Sequence, residues 1–205
     1  MSCAAVIALK GVARAKTRLR SALDESQRAW LVRAMLERVL TAAMGARQVA
    51  QIVLVTPELW PIPAPVTRIA DTGRNLSAAY ARGAEFAVAR GHRAVLLLPA
   101  DLALVTAADV DGMVLEGAAY GAALAPDGCG AGTNAFYLPG PLPIRLAFGP
   151  GSAVRHMTAC VSAGIRVALV RRDGLALDID EPNDLLQLGG YPDYQFLRRT
   201  TESVE

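Results

Sequence analysis

Apolar positions along this 205-residue chain fall into two patterns. The first is short and apolar nearly throughout: residues 4–9, 51–56, 67–70, 94–98, 122–125, 134–138, 166–170 and 175–179. Runs that lack polar alternation predict strands covered on both faces, as in a parallel sheet. The second pattern repeats at helical spacing. Over residues 26–44, Leu31, Met35, Leu36, Val39 and Leu40 make one stripe, and Asp24 stands where a cap belongs. Residues 76–90 end at Gly91, the residue type favoured just past a helix. Thr106 and Asp109 have capping-box spacing ahead of a helix to about residue 116. A helix over 152–163 follows Gly-Pro-Gly with Ser152 as its cap and stops at Gly164. Residues 182–188 open on Pro182, whose missing N–H costs little in a first turn.

Strands alternating with helices predict an open α/β sheet with right-handed crossovers. The pattern supports one domain over residues 1–190 and a polar, partly mobile tail over 191–205. In such sheets ligands sit beyond the carboxyl ends of the strands, so the residues after each strand are the candidates for chemistry.

Composition removes several classes. With 53% hydrophobic and 20% charged residues the chain builds a core and is not disordered. A net charge of +2 gives no general reason to expect nucleic acid or a membrane surface. The strongest apolar run, residues 94–104, is broken by Pro99 and Asp101, so no bilayer span is predicted. The chain opens as a strand and not as a signal peptide. Three scattered cysteines, Cys3, Cys129 and Cys160, fit a reduced cytoplasmic protein. His92 and His156 each lack a second ligand at metal spacing and are expected at the surface.

Of 21 basic residues only Lys10 and Lys16 are lysine, and both follow the first apolar run. A loop with Lys10, Arg14, Lys16 and Arg18 gathers cations at one point, as a triphosphate requires; a solvated basic turn is the plain alternative. It is not a P-loop, which needs Gly-x4-Gly-Lys-Ser/Thr. Asp101 follows the strand over 94–98, where a carboxylate is poorly placed for packing and well placed for a hard cation. Asp178 and Asp180, two apart in a predicted strand, share a face and repel unless a cation lies between them. Magnesium with a phosphate substrate is the natural occupant; an edge strand with a solvated polar face is the plain alternative. Residues 147–156 form a glycine-proline loop running into a helix N-terminus, either a site that favours an anion or an ordinary αβ turn. Residues 130–136 bring Thr133 and Asn134 to the start of a strand, as a substrate loop or a plain hairpin. No Ser-His-Asp or Cys-His set stands out, so metal-assisted phosphoryl or nucleotidyl transfer suits the residues better than hydrolysis.

Five stretches, ALKGVARAKTRL, LLLPADLALVT, APDGCGAGTNAF, AFGPGSAVRHMTA and GLALDIDEPNDL, occur in the order of the motifs of the phospholactate guanylyltransferases. The chain resembles that family to about residue 188. The resemblance implies a Rossmann-like nucleotide-diphosphosugar-transferase fold, a mostly parallel sheet flanked by helices. It implies transfer of GMP from GTP to a three-carbon phospho-acid, with pyrophosphate released, in coenzyme F-420 biosynthesis. Members use 2-phospho-L-lactate, phosphoenolpyruvate or 3-phospho-D-glycerate, and Thr133 and Asn134, as partners for a free hydroxyl, lean the expectation to 3-phospho-D-glycerate.

Carried over by residue, Asp101, Asp178 and Asp180 fall on magnesium positions. Thr133, Gly149 and Ser152 fall on acceptor positions, and Lys10 and Lys16 on the nucleotide phosphate loop. Asn75 and Ser77 replace a usual Gly and Asn near the expected base site, with Ser77 still a nucleotide candidate. Ala103 replaces a common proline. Lys10, Lys16 and Asp101 are the expected catalytic groups. Two alternatives remain: another nucleotidyltransferase of this fold, acting on a sugar phosphate or molybdenum cofactor, and a non-catalytic nucleotide-binding protein. Homo-oligomers are common among such enzymes.

Overall fold

The computed structural model describes residues 2–11, 15–71, 73, 75–188, 190–192 and 194. Its centre is a seven-stranded sheet in the order β3-β2-β1-β4-β6-β5-β7. The strands are Cys3–Ala8 (β1), Val49–Thr56 (β2), Thr67–Ala70 (β3), Ala94–Pro99 (β4), Gly121–Pro126 (β5), Thr133–Pro139 (β6) and Arg166–Leu169 (β7). β6 runs antiparallel to both β4 and β5, and the other pairs are parallel.

The apolar runs are apolar throughout because both faces of the sheet are covered. Alternate residues of β1 enter two separate cores. Cys3, Ala5 and Ile7 join the cluster packed with helices Glu25–Gly45 (α1) and Ala107–Tyr120 (α3). Ala4, Val6 and Ala8 join the cluster packed with Leu76–Val88 (α2) and Ser152–Ser162 (α4). β2 and β4 divide the same way, as period-two side chains must. α2 lies close enough to the sheet that a Cβ on Gly83 would overlap Val6 and come within 3.0 Å of Val55.

The predicted caps form. Asp24 and Gln27 close a capping box on α1, and Thr106 and Asp109 close one on α3, which runs four residues past its predicted end. Ser152 is different. It is the first residue of α4, the cap position belongs to Gly151 at φ +71°, and no side-chain cap bond forms. That leaves the Ser152 hydroxyl to point inward.

One predicted strand does not form. Residues 175–179 are not a strand. Asp173–Ala176 is a helical turn (α5), and the chain then crosses the carboxyl edge of the sheet with one bridge, between Asp178 and Leu102. Leu175 and Ile179 are buried, which gives the apolar alternation of a strand, but Asp178 between them cannot enter the sheet interior. Within the predicted tail, Tyr194 is buried, and its hydroxyl donates to the Ala103 carbonyl at 2.9 Å. Pro182–Leu188 (α6) forms as predicted, with Leu185 and Leu188 inward.

Because β6 is antiparallel, its first residues lie at the edge where β1, β4 and β5 end. Lys10, Asp101, Asp127, Thr133 and Asp178 are thereby gathered along one rim. Among the described residues, no helix is long and apolar enough to cross a membrane.

Candidate active site

The rim is organised around one ammonium. Lys16 Nζ donates to Asp101 Oδ2 at 2.6 Å and to Asp180 Oδ1 at 2.8 Å, across 85 and 164 residues of sequence. Its side chain is only 6% exposed, while those of Asp101 and Asp180 are 36% and 54% exposed. Lys16 is held in left-handed backbone, φ 53° and ψ 39°, which costs a non-glycine residue about 1–2 kcal/mol. Two charge-assisted hydrogen bonds offset that cost. Burial works against its charge, but the carboxylates of Asp101 and Asp180 outweigh burial and keep the ammonium firmly protonated.

Asp178 completes the cluster. It accepts from Asn134 Nδ2 at 2.6 Å. Burial first, and then the nearby Asp101 carboxylate, push its pKa up to about 7. Asp180 is fixed by its own backbone: the Asp184 carboxylate accepts from the N–H groups of Asp180 and Glu181 at 2.9 and 2.7 Å. Asp101 and Asp180 thus meet on one ammonium, and Asp178 lies near enough to feel their charge, although the strand argued to align Asp178 with Asp180 is not formed.

Beside the acids, Asp127 shapes the loop that delivers Thr133. Its carboxylate accepts from Ala131 and Gly132 N–H at 2.8 and 2.7 Å. The Ala131 carbonyl accepts from Ala153 N–H at 3.1 Å, joining this loop to the start of α4. Thr133, Ser152 and His156 then meet. Ser152 Oγ and His156 Nδ1 each lie 3.1 Å from Thr133 Oγ1. His156 Nε2 accepts from Ala147 N–H at 2.9 Å. Gly149 sits in the adjoining loop at φ +120°, a conformation open to glycine, and Arg155 braces that loop through the carbonyls of Ala147 and Pro150.

The candidate nucleotide residues are spread more widely. Lys10 Nζ pairs with Asp71 at 3.1 Å, just past β3, and stays 41% exposed. Arg18 is exposed on an open cleft of about 830 Å³ that Asp178, Asp180, Glu181 and Cys129 also line. Ser77 lies in the first turn of α2, where Asn75 is the cap, and its hydroxyl accepts from Phe148 N–H at 2.9 Å. Arg14 lies outside the described residues.

The donor set suits magnesium in kind: three carboxylates, a hard cation's ligands, already in mutual repulsion. One orphaned group also suits an oxygen-rich occupant. Tyr80 Oη is buried with no hydrogen-bond partner among the described residues, and Asp101 and Asp178, after burial itself, raise its pKa. Yet among the described residues no three acids, histidines or cysteines stand ready as a cation cage. The Lys16 ammonium lies between two of them, so a cation held by all three acids requires Lys16 to let go.

Several participants gave no signal in sequence. His156 is fully buried and not at the surface, stacked on Phe136 and edge-on to Phe148, both at 4.8 Å between ring centres. A lone histidine in a first turn looks like any surface residue until its partner, 23 positions away, is known. Asn134, expected as a partner for an acceptor hydroxyl, has a different task. Its amide donates to the Leu175 carbonyl at 2.8 Å as well as to Asp178, so it is spent on holding the acid segment.

Known proteins resemble this chain in sequence and in frame. A solved structure from Desulfovibrio desulfuricans G20, provisionally assigned as a nucleotide-diphospho-sugar transferase, superposes with TM-score 0.73 at 18% identity, covering 98% of this chain and 96% of that one. The fold is thus that of the nucleotide-diphospho-sugar transferases. The phosphoenolpyruvate guanylyltransferase of Sphaerobacter thermophilus is 37% identical over 195 residues, 93% of this chain and 94% of that protein. The 3-phospho-D-glycerate guanylyltransferase of Phenylobacterium zucineum is 33% identical over 196 residues, 92% of this chain and 90% of that protein. The family described as "Guanylyl transferase CofC like" matches residues 3–205, and the chain belongs to that family.

Proposed function

We propose that this protein transfers GMP from GTP to the phosphate of a three-carbon phospho-acid, as a step toward coenzyme F-420 in the cytoplasm. Phosphoenolpyruvate is the first acceptor, ahead of 3-phospho-D-glycerate and 2-phospho-L-lactate. The observation that carries the reading is the Lys16 ammonium bound by Asp101 and Asp180 beside Asp178 at the carboxyl edge of the sheet. The relatives' names support the acceptor class, and the 37% identical one is named for phosphoenolpyruvate. The lean to glycerate rested partly on Asn134, whose amide is occupied.

An oxygen of the acceptor phosphate bonds to the α-phosphorus of GTP. The bond from that phosphorus to the β-phosphate bridge breaks, and its electron pair leaves with pyrophosphate. The attacking phosphate is already anionic near neutral pH and needs no general base. What remains is to bring two polyanions together and neutralise charge. Asp101, Asp178 and Asp180 would hold magnesium, which supplies charge neutralisation on phosphate oxygens when bound. Lys16, freed from its carboxylates, meets the triphosphate, with Lys10 and Arg18 as further candidate contacts. Thr133, Ser152 and the Gly149 turn take the acceptor.

The test is a competition. Purified protein receives GTP, magnesium and the three acids at equal concentration, and products are separated by mass. The expected main product is the guanosine-diphospho adduct of phosphoenolpyruvate. A dominant adduct of another acid overturns the acceptor order. No adduct, with a sugar phosphate consumed instead, overturns the function.

A further inference from the structure

The hydrogen bonds around Thr133 can be assigned a direction. The Ala147 backbone N–H can only donate, so His156 Nε2 must be its acceptor, at 2.9 Å. A neutral imidazole carries one proton, which therefore sits on Nδ1. That N–H points at Thr133 Oγ1, 3.1 Å away, and the threonine oxygen accepts. Ser152 Oγ, 3.1 Å on the other side, donates to the same oxygen. Threonine carries two lone pairs and one proton. Both lone pairs are now taken and the proton is not. If Ser152 were turned to accept, its own proton would be the one left over. In either arrangement the trio ends with one O–H donor to spare. Burial indicates which: Thr133 is 8% exposed, against 1% for Ser152 and 0% for His156.

We infer that His156 is a positioning residue of the acceptor site: by fixing its own tautomer, it turns the Thr133–Ser152 pair so that a hydroxyl proton faces an anionic oxygen of the acceptor. The inference rests on the reading that Thr133 and Ser152 line that site. His156 itself touches no substrate. Its neutrality is supported by its surroundings, since burial and then the Arg155 guanidinium lower its pKa to about 4. Its ring is clamped between Phe136 and Phe148, so rotation that would swap the nitrogens is opposed by packing. A spare donor is the useful polarity here, because phosphate and carboxylate oxygens only accept. A pair turned the other way would present lone pairs to an anion and repel it.

The experiment is steady-state kinetics with both substrates varied, on wild type, His156→Phe, Thr133→Val and the double variant. Phenylalanine keeps the stacked ring and removes both nitrogens. The expected result is an acceptor KM raised about 10- to 100-fold in either single variant, the cost of losing a hydrogen bond to a charged group, with the GTP KM within about twofold of wild type. The double variant should be no worse than the worse single, because His156 acts through Thr133. His156→Gln, which keeps an acceptor and a donor, should recover part of the loss, and it carries the test if His156→Phe does not fold. Effects that multiply in the double variant, or KM values for GTP and acceptor that rise together, overturn the inference and leave the proposed function intact. A wild type that guanylylates no phospho-acid overturns both.

Discussion

Single side chains at the rim can be tested by what they lose. Lys16→Ala removes the ammonium shared by Asp101 and Asp180, and kcat/KM for GTP should fall about 100- to 1,000-fold, the usual cost of one electrostatic group in such chemistry. An acceptor KM that rises while GTP kinetics stay normal would place Lys16 on the wrong substrate. Tyr80→Phe removes a buried hydroxyl with no partner among the described residues, and should raise the unfolding free energy by about 1 kcal/mol. A lower melting temperature would mean the hydroxyl has a partner after all. His156 also sets a pH dependence. Its pKa is lowered from the ordinary 6.5 to about 4, so the folded state binds its proton more weakly than the unfolded chain does. The stability it contributes is complete above about pH 6.5 and is lost as pH falls through about 4. Thermal melts between pH 7 and 4 should therefore decline less steeply for His156→Gln than for wild type. Parallel slopes would contradict the buried neutral imidazole. At this scale sequence reading was uneven: acids following strands were conspicuous, because a carboxylate there has no packing role, whereas His156 and Tyr80 looked like ordinary helix residues.

The strands were legible because burial on both faces writes the same message at every position, as Cys3–Ala8 shows by sending alternate residues into two cores. Asp24 and Thr106 were legible because capping is local chemistry, complete within four residues. Residues 175–179 misled because Leu175, Leu177 and Ile179 recur at strand spacing whether the segment lies in a sheet or across its edge. Only the partner, Leu102, distinguishes the two, and that contact is 76 positions away. Gly83 was unreadable for the same reason. Its place in α2 gives no local hint that Val6 fills the space a side chain would need. Gly83→Ala should cost about 1–3 kcal/mol by overpacking, lowering the melting temperature by several degrees despite alanine's better helix propensity. An unchanged or higher melting temperature would show that α2 can lift from the sheet without penalty.

Over the whole molecule, topology assembles the site. Lys16 from the loop after β1, Asp101 from the end of β4, Thr133 from the start of an antiparallel β6, and Asp178 and Asp180 from the crossing segment reach one rim, because every one of these chain ends opens on the same edge of the sheet. The activity proposed for this rim moves GMP onto a phospho-acid and does not hydrolyse GTP. It is tested most directly by the pyrophosphate released from GTP, with magnesium, in the presence and absence of phosphoenolpyruvate. The expected result is one pyrophosphate per GTP consumed, release only when the acid is present, and a rate about 100- to 1,000-fold lower in Asp101→Asn. GDP and phosphate as products, or equal pyrophosphate release without the acid, would contradict it.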